Sequence, residues 1–180
     1  MQNSQYSECF PGNLDKVVTS VVKLLERRGL TVATAESCTG GLLSELITSV
    51  TGASAVFELG LCTYSEKMKS RFLGVSEEEI AQYGVVSREV ALSMVRGLKQ
   101  CSDADVCISV TGIAGPGGGT AETPVGTVYI GFDICGKQFV MLPELWKLPD
   151  KSRDRIRFAA AEFAFGIVEE MLMEAVQTNE

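Results

Sequence analysis

The sequence predicts an α/β fold: three layers, α/β/α, around a mixed sheet of about five strands. Three observations carry this. Segments with helical spacing of apolar residues alternate with short β-branched runs, two glycine-rich loops directly follow apolar runs, and the last two strand-like runs are separated as in a hairpin.

Taken in order, Asn13 is placed to cap a first helix in which Leu14, Val17, Val18, Val21, Val22, Leu24 and Leu25 share one broad apolar face, ending at Gly29. A strand over residues 31–35 and a helix over 41–50 follow. Residues 56–64 hold a second strand and 65–72 a short helix. Ser76 with Glu79 has the capping-box spacing that starts another helix. Ser87 caps a longer one, which buries Val90, Ala91, Met94, Val95 and Leu98. The compact run at 106–110 reads as a strand covered on both faces. Strands over 126–134 and 138–142 join at Cys135, Gly136 and Lys137, and a last helix opens at Asp150 or Ser152 and runs to Ala175. No repeat or linker divides the chain, so residues 13–180 read as a single domain behind a flexible tail at 1–12.

Of the 180 residues, 46% are hydrophobic and 22% charged, the balance of a soluble globular protein. No apolar run reaches the roughly 18–20 residues of a membrane span, and the first residues lack the basic and apolar regions of a secretory leader. The net charge of −7 argues against a nucleic-acid surface, which needs clustered Lys and Arg. Any anionic ligand must meet a local positive potential. The six cysteines, Cys9, Cys38, Cys62, Cys101, Cys107 and Cys135, form no C-x-x-C pair, which points to a reducing, cytoplasmic compartment without a zinc site. Histidine is absent altogether. Ser-His-Asp and Cys-His machinery is therefore excluded, and lysine, tyrosine or a carboxylate must carry any proton.

The run T-A-E-S-C-T-G-G at 34–41 packs hydroxyls, a thiol and a carboxylate into a strand-to-helix junction. Two readings stay open. It is either a capping turn, or a cradle in which Glu36, Ser37, Thr39 and Gly40 meet an anion or oxyanion at unpaired helix N–H groups. Ser37 and Cys38 are candidate nucleophiles, the thiolate of Cys38 being favoured by a helix N-terminus. The second run, T-G-I-A-G-P-G-G-G-T at 111–120, places Thr111, Gly112 and Gly115 after another strand, as a ligand loop or a solvated one. Neither run fits a P-loop or a dinucleotide fingerprint. Arg153 and Arg157, i and i+4 on the last helix, share a face suited to a phosphate or carboxylate, or to solvent.

Together with G-A-S-A-V-F at 52–57, T-Y-S at 63–65, Lys69, L-G-V at 73–75, G-V-V-S at 84–87 and P-V-G-T-V at 124–128, these runs strongly resemble the C-terminal domain of the competence/damage-inducible protein A family. The resemblance covers about residues 13–175, and the chain looks like the stand-alone form, whose members deamidate nicotinamide mononucleotide. It implies a catalytic serine, tyrosine and lysine at Ser54, Tyr64 and Lys69. It also implies substrate contacts from Thr111 and from Arg153 or Arg157, a homodimer, and no metal or organic cofactor. One departure is Ala53, where the family usually has a second serine. A lysine base suits a chain without histidine, provided burial or a neighbouring cation lowers its pKa. The alternative is a non-catalytic nucleotide-binding module. One geometric condition is attached: were 54–64 a single straight strand, Ser54 and Tyr64 would stand roughly 30 Å apart. Either the segment folds back, with a helical turn at 54–57 and a bend at Gly60, or a second subunit completes the pocket.

Overall fold

The computed structural model describes residues 14–177. The expected tail and the Asn13 cap lie outside them. Helix α1 (Leu14–Arg28) forms where the spacing predicts, with Val18, Val21, Val22, Leu24 and Leu25 buried. Strand β1 (Val32–Glu36) is buried at every position, which fits a strand covered on both faces. It leads through a tight turn into the short helix α2 (Leu42–Thr48).

Strand β2 (Phe57–Cys62) follows a 3-10 turn at Ala53–Ala55, the helical turn expected one residue later. Gly60 is no bend. It sits within the strand opposite Thr34, and an added Cβ would lie 2.5 Å from the Ser44 hydroxyl, so glycine is what lets α2 approach the sheet.

Helices α3 (Glu66–Leu73), α4 (Glu77–Tyr83) and α5 (Arg88–Ser102) come next. Ser76 and Ser87 cap the second and third of these, their side chains accepting from the N–H groups of Glu79 and Val90. The capping box is only half made, because the Glu79 carboxylate turns to the Ser93 hydroxyl at 2.7 Å. Strand β3 (Val106–Gly112) extends two residues further than its apolar run suggests, since Thr111 and Gly112 still pair with the next strand. Strands β4 (Val128–Ile134) and β5 (Lys137–Met141) close the expected hairpin on two turn residues, Cys135 and Gly136, both with positive φ. Across it Phe132 and Phe139 stack with centroids 5.0 Å apart. The last helix, α6 (Arg153–Gln177), completes the described chain.

The sheet order is β2-β1-β3-β4-β5. Strands β2, β1 and β3 are parallel, while β4 and β5 are antiparallel additions, so the sheet is mixed. Helices α1, α2 and α6 cover one face over the larger core, and α3, α4 and α5 cover the other. The three parallel strands end side by side, with Glu36 in register with both Cys62 and Val110. Their carboxyl ends therefore open at one edge, where ligands bind in open α/β sheets. Among the described residues no helix is long and apolar enough to cross a membrane.

Candidate active site

A cavity of about 620 Å³ lies at that edge, lined among others by Ser37, Cys38, Tyr64, Thr111, Gly115 and Arg153. They come from four junctions: Ser37 and Cys38 follow β1, Tyr64 follows β2, Thr111 and Gly115 lie at and just beyond the end of β3, and Arg153 is the first residue of α6.

Beneath the cavity Lys69, on α3, is fully buried. Its amine donates to Ser37 Oγ at 3.0 Å and to the Thr63 carbonyl at 2.8 Å. It joins no salt bridge among the described residues. Burial pushes its pKa below the ordinary 10.5, against a weaker upward pull from Cys38, Glu66 and Cys62. The Cys38 thiol beside it is pushed up to about 12 by burial, so it stays protonated near neutrality and supplies no counter-charge. For Cys38 desolvation outweighs the helix N-terminus that was expected to favour a thiolate. With its thiol kept protonated, Cys38 is the weaker of the two candidate nucleophiles, and it is Ser37 that meets the lysine amine.

Ser37 and Lys69 form the pair that the resemblance assigns to Ser54 and Lys69. Ser54 sits exposed in the 3-10 turn before β2, whereas Lys69 lies beyond its far end. The six-residue strand between them spans about 20 Å. Within one chain the two groups do not meet. Parallel pairing accounts for both outcomes, because it aligns the end of β1 with the end of β2 and leaves the start of β2 at the opposite edge.

Of the other candidates, Tyr64 and Arg153 do come together. The Tyr64 ring is exposed and its hydroxyl accepts from the Arg153 guanidinium at 3.1 Å, while a second guanidinium N–H donates to the Gly115 carbonyl at 2.9 Å. Thr111, Gly112 and Gly115 line the cavity, but the Thr111 hydroxyl is engaged with the Val85 carbonyl at 2.8 Å and holds that neighbouring wall.

Glu36, Gly40, Arg157 and the Thr39 side chain, expected as substrate contacts, are parts of the turn's own framework. None of them lines the cavity. Glu36 is fully buried, with its carboxylate taken up by N–H groups at the start of α2, so that N-terminus is not a cradle for an outside anion. Arg157 spends its guanidinium on the Thr39 carbonyl, at 2.8 and 3.1 Å, and on Asp154 at 3.2 Å. Thr39 is buried, and its hydroxyl has no partner among the described residues. Gly40 is an exposed turn residue with φ of 64°.

Three comparisons place the chain among known proteins. Residues 14–172 match the model of the CinA C-terminal domain. A CinA-like protein of Kosmotoga olearia is 44% identical over 156 residues, which make up 87% of this chain but 37% of that protein. The chain thus spans little more than a third of the length of the curated relative it matches. Among solved structures, competence/damage inducible protein CihA from Agrobacterium tumefaciens superposes with a TM-score of 0.82 at 38% identity, covering 89% of this chain and 96% of that one. A CinA superfamily protein from Klebsiella pneumoniae gives 0.84 at 29%, covering 91% and 99%. With most of its length matched by the family model and its sheet shared with those structures, the chain belongs to the CinA C-terminal domain family.

Proposed function

We propose that this site belongs to an amidohydrolase that converts nicotinamide mononucleotide to nicotinic acid mononucleotide and ammonia, with Ser37 as nucleophile and Lys69 as its base. The observation that carries the reading is the 3.0 Å contact between Ser37 Oγ and a fully buried amine that joins no salt bridge among the described residues. A serine hydroxyl needs an adjacent base, and a lysine serves once desolvation makes its neutral form accessible. The substrate is drawn from the family resemblance. No metal and no organic cofactor enters the scheme.

In this scheme Ser37 Oγ attacks the carboxamide carbon as its proton passes to Lys69 Nζ. The tetrahedral intermediate collapses when Lys69 returns a proton to the departing nitrogen, which leaves as ammonia and leaves a seryl ester. Water, deprotonated by Lys69, attacks the ester, and Ser37 leaves with the proton restored to its oxygen. The backbone N–H groups of Cys38 and Thr39 donate to no carbonyl of another described residue, that of Cys38 lying against its own thiol, and in this scheme they receive the oxyanion. Arg153 offers the ribose phosphate positive charge in a chain of net −7, and the loop after β3 lines the same cavity. Because Ser37 and Lys69 meet within one chain, the homodimer is proposed on resemblance alone. A cytoplasmic location is proposed on the scattered cysteines, which form no C-x-x-C pair.

Purified protein incubated with the mononucleotide should release ammonia and nicotinic acid mononucleotide in equal amounts. Tight binding without any ammonia would instead favour the non-catalytic nucleotide-binding module.

A further inference from the structure

We propose that Glu36, the residue before the nucleophile, is a positioning residue that caps α2 from inside the protein and thereby sets Ser37 against Lys69. The inference rests on the reading of Ser37 as nucleophile.

The hydrogen bonds of the turn can be followed one amide at a time. Glu36 Oε2 accepts from the N–H groups of Gly41 and Leu43, both at 3.0 Å. Its Oε1 accepts from the N–H and the hydroxyl of Ser44, both at 2.9 Å. Gly40 N–H donates to the Ser37 carbonyl at 3.0 Å, and Leu42 N–H to that of Thr39 at 3.4 Å. Every amide from 40 to 44 is therefore committed, and the Cys38 N–H lies against its own thiol. A buried carboxylate with four donors has no acceptor capacity left for a ligand.

The arrangement is over-determined. Ser44 spends its only hydroxyl proton on Glu36, so Thr34 must donate to Ser44 across their 2.8 Å contact. Thr34 and Glu36 lie two positions apart on β1 and face α2, and Gly60 on β2 leaves the space that Ser44 fills. From the other side Arg157 holds the Thr39 carbonyl, and Ser37 N–H is tied to the Val110 carbonyl at 3.0 Å. A helix of seven residues has little stability of its own, so α2 and the turn before it depend on such anchors.

The decisive variant is Glu36→Gln. It keeps the size of the side chain but sets an amide NH₂ against two of the four donors. The protein as it stands is assayed in two ways: steady-state deamidation of the mononucleotide, and the rate at which a fluorophosphonate labels Ser37, read by peptide mass spectrometry. For folded Glu36→Gln the expectation is a fall in kcat of about 10- to 100-fold with KM within about threefold, and a parallel fall in labelling rate. A variant that melts earlier but keeps kcat and labelling would show a purely structural role and overturn the proposal. So would a rise in KM at constant kcat, which would mean contact with substrate. Should Glu36→Gln not fold, Ser44→Ala removes a single donor and decides the matter. Slower labelling supports the proposal, and an unchanged rate overturns it. Labelling at Ser37 without deamidation in the unaltered protein would sink the substrate assignment alone, leaving the positioning role to be judged by labelling. Neither labelling nor deamidation would overturn the nucleophile reading and this inference with it.

Discussion

The turn after β1 and the loop after β3 both follow buried parallel strands, both are rich in glycine and both face the same cavity, yet they are built in opposite ways. In the first, every amide from 40 to 44 is committed, a buried carboxylate sits inside the turn, and an arginine grips it from α6. In the second, the ends are fastened where Ile113 and Gly126 exchange backbone bonds with Thr127 and Ile113. Between them the loop is held mainly by a short turn at Thr120 and Thr123 and by the Arg153 contact with the Gly115 carbonyl. Residues 116–121 of that loop are exposed. The difference teaches that glycine content alone does not mark a ligand loop. The tied turn fixes Ser37 against Lys69, and the open loop can adjust to whatever is bound.

If that division holds, damage to the rigid side should appear in kcat and damage to the open side in KM. The largest expected effect comes from Lys69→Met, which removes the base and should lower kcat by about 10²- to 10⁴-fold. In the unaltered protein kcat should rise with pH as Lys69 loses its proton, at a pH below the ordinary lysine range. The same variant should be more stable than the unaltered protein. Because the Lys69 pKa is lowered on folding, the unfolded chain binds more protons than the folded one between the folded pKa and 10.5, so stability rises with pH through that window. The advantage of Lys69→Met should accordingly be greatest below the folded pKa and shrink as pH approaches 10.5. Melting curves across that range check it, with each kcal/mol worth about 2–4 °C in a chain of this size.

Next in size is Arg153→Ala, on the open side. It loses a charged donor, the tie to the Gly115 carbonyl and the bond to Tyr64, and should raise KM by about 10- to 100-fold while changing kcat little. A fall in kcat alone would place Arg153 with the rigid machinery and break the division. The smallest effect on turnover belongs to Cys38→Ser, expected to stay within about threefold while costing about 1–3 kcal/mol of stability for a newly buried hydroxyl. Loss of turnover there would reinstate the thiol as nucleophile.

Local chemistry made much of this molecule readable. The apolar stripes of α1 and α5, the caps at Ser76 and Ser87 and the buried run of β3 follow from spacing that each segment carries itself, and the structure keeps them. The family resemblance names Tyr64, Lys69 and Arg153, and the structure stands all three at one edge of the sheet. The partner of Lys69 was not legible. Whether Ser37 or Ser54 meets it depends on which end of β2 lies beside the end of β1, a property of strand pairing between residues far apart in sequence. The signal that could have found it is positional: Ser37 follows a buried parallel strand directly, and Ser54 precedes one. Glu36 was misread for a related reason. A carboxylate beside a glycine turn looks like a ligand contact until the amides it must satisfy on α2 are counted.

The most direct test compares ammonia release from nicotinamide mononucleotide by folded Ser37→Ala and Ser54→Ala under identical conditions. Turnover should be abolished in Ser37→Ala and stay within about twofold of the unaltered protein in Ser54→Ala, whose hydroxyl is exposed at the opposite edge of the sheet. Sustained turnover in Ser37→Ala, with loss in Ser54→Ala, would contradict the pairing of Ser37 with Lys69 as the reacting centre.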